Sequence, residues 1–211
     1  MPVMMDDIQE QFAAAGVTPK GRKARRAIFA ATYKLMTSKG IEAASLEAIA
    51  HEAGMTQAAV RHYFPTREEL LTAFFVAATQ WFQDRVTNML TSKELPAREQ
   101  LERCITWHLE YMESVDTSVW LDASAYWLRH RLPQHTRDEF YQWVLGQYAR
   151  LIRKIRPALD ATECKGRAYA LLTLVLGAWI THGRGSAVRG AGNALQQRRL
   201  LLDTAMTIVN R

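Results

Sequence analysis

Apolar residues along this chain recur every three or four positions almost throughout, the spacing of one face of a helix. Strand-like alternation is scarce, and no Asn-Gly or Asp-Gly hairpin turn occurs. The first firm helix is predicted from about Arg22 to Ser38, on Ala27, Ile28, Ala31, Leu35 and Met36, with Gly40 as its stop. Residues 1–19 read as a flexible lead-in, broken by Gly16 and Pro19. Ser45 then caps a short helix whose apolar positions are Leu46, Ile49, Ala50 and Ala53. Gly54 supplies a turn, Thr56 caps a second short helix to about Tyr63, and Pro65 ends it. Thr66 and Glu69 form a capping box before a helix reaching about Leu90.

Beyond Pro96 the helical spacing resumes with Leu101, Ile105, His108, Leu109 and Met112. Further helices are expected over about Thr117–Arg131, Gln134–Arg156, Thr162–His182 and Ala194–Asn210. Leu132-Pro133, Pro157 and the glycines 183, 185, 190 and 192 punctuate them. The pattern predicts an all-α fold. An N-terminal three-helix head with a helix-turn-helix, residues 20–66, joins a larger helical body, residues 67–211, suited to ligand binding and dimerisation.

Charge makes the head distinctive. The chain carries a net charge of +6, and the segment from Lys20 to Arg67 holds the whole excess, with nine bases against three acids. A basic head on a neutral body is the electrostatic footprint of nucleic-acid binding. Other classes lose ground. Cys104 and Cys164 have no metal-ligand spacing around them, so no metal and no disulfide framework is expected. The acidic start, with Asp6, Asp7 and Glu10, does not suit a signal peptide. The most apolar run, Ala168–Ile180, is shorter than the roughly 20 residues of a membrane span. A cytoplasmic protein with no membrane partner is expected. No zincin, nucleophile-elbow or phosphate-loop motif occurs, so neither an enzyme nor a cofactor is expected.

The segment Ser45 to Phe64 places two short helices around a glycine in the spacing that sets a second helix into the major groove. Gln57 and Arg61 share a face of that helix, one turn apart. Glutamine can pair with adenine and arginine with guanine. Thr56 and Tyr63 suit phosphate contacts. Ala58 and His62 lie beside the reading pair, and Ser45 opens the motif. Arg22, Lys23, Arg25 and Arg26 form a basic approach that can hold the backbone or enter the minor groove.

Ser45-Leu46-Glu47-Ala48-Ile49-Ala50, Ala53-Gly54-Met55-Thr56 and Tyr63-Phe64-Pro65-Thr66-Arg67-Glu68-Glu69-Leu70-Leu71 resemble the N-terminal domain of TetR-family repressors. The resemblance runs from about Arg22 to Ala77. It implies an all-helical homodimer on an inverted-repeat operator in double-stranded DNA, with a small-molecule effector held by the body. It also implies that Thr56, Gln57, Arg61, Tyr63 and Arg67 lie near DNA. Many members carry Gly-Thr where this chain has Ala58-Ala59, and tyrosine where it has Arg61, so Arg61 adds a base-reading group. Trp120 to Trp127, the helix ending near Pro157, and Ala170 to Trp179 are similar in layout to the choline-responsive BetI-type repressors, without naming a ligand for this chain.

All six tryptophans lie outside the head. Trp107, His108, Tyr111, Trp120, Tyr126, Trp127 and Trp179 are the candidates for a ligand pocket, against the plain alternative that each is core. The helices over 134–156 and 162–182 are the expected dimer interface, with Gly177 and Ala178 allowing close approach.

Overall fold

Pro2–Ala14, expected as a flexible lead-in, is a helix, α1. The computed structural model describes residues 2–114, 118–129, 131–182 and 192–211, and side chains at all of these except 2–5, 123–124, 127–128 and 131–137. They hold helices and turns and no strand. After α1 come α2 (Pro19–Lys39), a 3₁₀ turn (Ile41–Ala43), α3 (Leu46–Glu52), α4 (Gln57–Tyr63) and α5 (Arg67–Leu90). Then follow α6 (Ala97–Ser114), α7 (Ser118–Arg129), α8 (Arg131–Ile155), α9 (Ala161–Thr181) and α10 (Ala194–Asn210).

The chain divides into two units: residues 1–82 with 118–137, and residues 83–117 with 138–211. The first unit therefore extends past the boundary at 66 that the sequence suggests. In it, α1 packs on α2. A helix of this length is marginal alone in water, so burial must hold it. Ile8, Phe12 and Ala13 supply that burial, and the Phe12 ring meets Phe29 at a centroid distance of 5.3 Å. Phe29 in turn stacks on Phe74 of α5 at 4.7 Å. Trp81 Nε1 donates to the Asp7 carboxylate at 3.3 Å, and Gln9 Nε2 donates to the Arg26 carbonyl at 2.9 Å. Pro19, a breaker by its residue type, is the first residue of α2, where a missing N–H costs nothing. The Thr18 hydroxyl caps it by accepting from Gly21 N.

Ser45 and Thr56 cap α3 and α4, accepting from Ala48 N and Ala59 N at 3.1 Å each. Leu46, Ile49 and Ala50 of α3 and Val60 of α4 are buried. Gly54, between the helices, has φ +64°, and a Cβ there would meet nothing within 4 Å. The cost of a side chain at 54 is therefore purely that of the left-handed backbone. Gly54→Ala should destabilise the first unit by about 1–2 kcal/mol. Chemical denaturation followed by circular dichroism would read it. Gly54→Asn should cost less, since asparagine tolerates this region.

In the second unit, α6 packs against α9 and α10, and those two pack on each other. Leu101, Ile105, Leu109 and Met112 of α6, Leu171 and Val175 of α9, and Ala205 and Val209 of α10 form its core with Val144, Tyr148, Leu151 and Ile152 of α8. Full capping boxes start α9 (Asp160 with Glu163) and α10 (Asn193 with Gln196). Arg167 Nη1 donates to the carbonyls of Ile208 and Val209, satisfying the open end of α10. Helix α8 begins at Arg131, before the point the sequence suggests, because Pro133 sits in its first turn. Of the expected glycine loop, residues 183–191 lie outside the described residues. No described helix is long and apolar enough to cross a membrane.

Candidate nucleic-acid interface

The outer face of α4 is polar and open. Gln57, Ala58, Arg61 and His62 are all exposed, and 57 with 61 and 58 with 62 stand one helical turn apart. Val60, on the opposite face, is fully buried and anchors the helix against α3. Among the described residues the Arg61 guanidinium enters no hydrogen bond or ion pair. Tyr63 is half-buried, a Cβ added at Gly21 at the start of α2 would lie 4.0 Å from its ring edge, and His62 meets it edge-on at 5.2 Å. Ser45 and Thr56 are exposed, and each hydroxyl, while accepting as a cap, keeps its proton for a further acceptor.

The bases behind this face separate into two groups. Lys20 and Lys23 are exposed and unpaired among the described residues, and Arg22, half-buried, donates through Nη1 to the Gly16 carbonyl at 3.3 Å. Arg25, Arg26 and Lys34 are engaged within the unit. Arg26 pairs with Glu10 at 2.6 Å and Lys34 with Glu52. Arg25 donates from Nε to the Phe12 carbonyl at 3.0 Å, with its guanidinium 5.0 Å from the Phe12 ring centre and 4.5 Å from that of Phe64. Burial lowers the pKa of that guanidinium, and the nearby Tyr63 works the other way.

Arg67 also lies among internal partners. Its Nε donates to the Ala44 carbonyl at 3.0 Å, and its Nη2 donates to the Ile41 carbonyl at 2.7 Å and to Glu42 at 3.2 Å. The guanidinium also stands 5.8 Å from the Tyr126 ring centre. The resemblance puts Arg67 near DNA, but its donors are turned onto the 3₁₀ turn that precedes Ser45. The Asp122 carboxylate of α7 accepts from Ile41 N at 3.3 Å, at the same turn. Neither contact follows from helical spacing, because each joins residues far apart in sequence.

Residues 28–74 match the family model for bacterial regulatory proteins of the tetR family. This is the segment that contains the whole two-helix motif, α3 and α4. Over this segment, the head of the chain matches the TetR family.

PksA of Bacillus subtilis (strain 168), an HTH-type transcriptional regulator, is 32% identical over 119 residues, which span 56% of this chain and 55% of PksA. The HTH-type transcriptional regulator BetI of Stenotrophomonas maltophilia is 24% identical over 182 residues, 83% of this chain and 88% of BetI. A TetR-family transcriptional regulator from Streptomyces coelicolor superposes with TM-score 0.73 at 18% identity, covering 93% of this chain and 92% of that one. A Saccharomonospora viridis protein solved in complex with choline gives TM-score 0.67 at 20% identity, covering 87% and 95%. The family and these named relatives are regulators, not enzymes.

The second unit gathers four of the seven pocket candidates. Trp107 stacks on Tyr111 at 5.4 Å and 19°, His108 meets Trp107 edge-on at 5.3 Å, and Tyr111 meets Trp179 edge-on at 5.6 Å. Tyr126 and Trp120 belong to the first unit, where Tyr126 is buried beneath Arg67. The Trp127 side chain lies outside the described ones. His108 is buried and gives its Nδ1 proton to the Cys104 carbonyl at 2.7 Å. Burial pushes its pKa down to about 4, against the pull of that carbonyl. Burial pushes the Cys104 thiol up to about 12 and the Tyr148 phenol well above its ordinary value. Trp107 also lines an open groove of about 730 Å³ whose walls include Met89, Leu95, Arg103 and Glu110.

Proposed function

We propose that this protein is a dimeric transcriptional repressor that binds an inverted-repeat operator in double-stranded DNA and is released by a small-molecule effector. The observation that carries the reading is the exposed pair Gln57 and Arg61, one turn apart on a helix whose other face is locked against α3 by Val60. Such a helix can enter a major groove and offer an amide to adenine and a guanidinium to guanine. Lys20, Lys23 and Arg22 supply phosphate contacts that position it.

Exposed apolar side chains favour a two-fold interface on α9 and α10. Tyr169 and Ile180 on α9, and Leu195 and Leu200 on α10, are large and exposed. The outer positions of α8 are instead polar or charged, among them Asp138, Glu139, Gln142, Arg150, Arg153 and Lys154. This reading differs from the pairing of α8 with α9 expected from sequence. Gly177 is exposed and fits the new interface, whereas Ala178 is buried within its own unit.

The Trp107, Tyr111 and Trp179 cluster is the candidate effector wall. The choline held by the Saccharomonospora viridis protein makes a quaternary ammonium the first ligand to try, because aromatic faces attract such cations.

Selection from random duplexes should recover an inverted repeat. Arg61→Ala should weaken binding to it by about 1–3 kcal/mol and relax the preference at one base pair in each half-site. Recovery of no common sequence would refute the reading, and equal affinity for every duplex would leave only non-specific binding.

A further inference from the structure

Helix α1 lies outside the segment that matches the family, which begins at residue 28. It is nevertheless joined to the end of the proposed recognition helix. Phe64 is the residue that closes α4, and it is buried. Its ring stacks on Phe12 of α1 at 5.3 Å and 28°. The Arg25 guanidinium stands close to both rings, and its Nε ties it to the Phe12 backbone. Arg26 with Glu10, and Gln9 with the Arg26 carbonyl, fasten the same two helices one turn away. A guanidinium over aromatic faces has its orientation set by ring geometry as well as by charge. The C-terminal end of α4 is thus held by a group that is itself held by α1.

We propose that α1 is part of the reading head and that Arg25 is a positioning residue, setting the angle of α4 through Phe64 without touching DNA. The inference rests on the reading of α4 as the recognition helix. It gives Arg25 a different task from the phosphate contact that its place in a basic run suggests. A misaligned α4 loses base contacts first, since these demand direction, and keeps most of its phosphate attraction, which does not. Sequence discrimination and salt dependence therefore separate the two tasks.

The test compares wild type, Arg25→Ala, Phe12→Leu and Arg25→Lys on the selected operator and on a scrambled duplex of equal length. Measurements run over a series of salt concentrations, at a temperature where circular dichroism shows every variant folded. Arg25→Ala and Phe12→Leu should each weaken operator binding by about tenfold, the range of effects transmitted through packing. Binding to the scrambled duplex should stay within about twofold, with the salt slope unchanged. Arg25→Lys, which keeps a cation over the rings, should recover part of the loss. Weaker binding to both duplexes, with a salt slope smaller by about one phosphate, would make Arg25 a phosphate contact and overturn the proposal. So would unchanged operator affinity in both variants, which would reduce α1 to a stabilising helix. A wild-type protein that does not distinguish the two duplexes overturns the reading of α4 and this inference with it. Discrimination by wild type that survives in Arg25→Ala overturns this inference alone.

Discussion

Lowering the pH from 6.5 to 4 should remove up to about 3 kcal/mol of stability through His108 alone. The imidazole is buried and neutral in the folded protein, with its pKa near 4, whereas in the unfolded chain it titrates near 6.5. Between those values the unfolded state binds a proton that the folded state refuses. The contribution is fully present above pH 6.5, falls as the pH drops through the window, and is lost below 4, where both states are protonated. The chemistry is that of a ring whose Nδ1 proton is committed to the Cys104 carbonyl and whose charge would be stranded in an apolar unit. Denaturant midpoints measured across this range should fall for wild type and flatten for His108→Gln, which has no proton to take up. Parallel curves for the two proteins would show that other groups carry the acid sensitivity.

Arg67→Ala should be the most damaging change on the surface of the first unit, at about 3 kcal/mol. Two hydrogen bonds from a charged donor to backbone carbonyls are each worth about 1.5–3 kcal/mol, and partial exposure reduces their sum. The ion pair to Glu42 adds little, because that carboxylate is 78% exposed. Lysine cannot span the two carbonyls as a fork, so Arg67→Lys should recover less than half of the loss. Amide hydrogen exchange would locate the effect at Ile41–Ala44 and the following α3. If Arg67→Ala left stability intact and reduced the salt slope of DNA binding by about one, its role would be the phosphate contact that the family resemblance implies.

Helix existence was legible in the sequence wherever a long stripe met a clear cap. Helix α10 begins and ends at the residues its pattern predicts, and Ser45, Gly54 and Thr56 mark the reading motif unaided. The failures share a cause. Helix α1 was hidden because Gly16 and Pro19 look like disorder, although Ile8 and Phe12 already stand at helical spacing. The basic run 22–26 reads as one surface by composition. In the fold, Arg25 and Arg26 turn toward α1 while Lys23 stays in solvent. Net charge carries no information about which side chain a neighbouring helix will claim. The same limit applies to the aromatic residues, where Tyr126 and Tyr111 look alike in sequence and belong to different units.

The turn at Ile41–Ala44 bears on how such a protein can be re-engineered. Its carbonyls are held by Arg67 and its first amide by Asp122, so the structural unit of the head is two separate stretches of chain. A hybrid that splices residues 1–66 onto another regulator's body would sever both grips and deliver a loosened reader. Exchanging only the open positions 57, 58, 61 and 62 leaves every one of those contacts in place. If α4 reads DNA as proposed, retargeting would be a matter of resurfacing one helix, not of transplanting a domain.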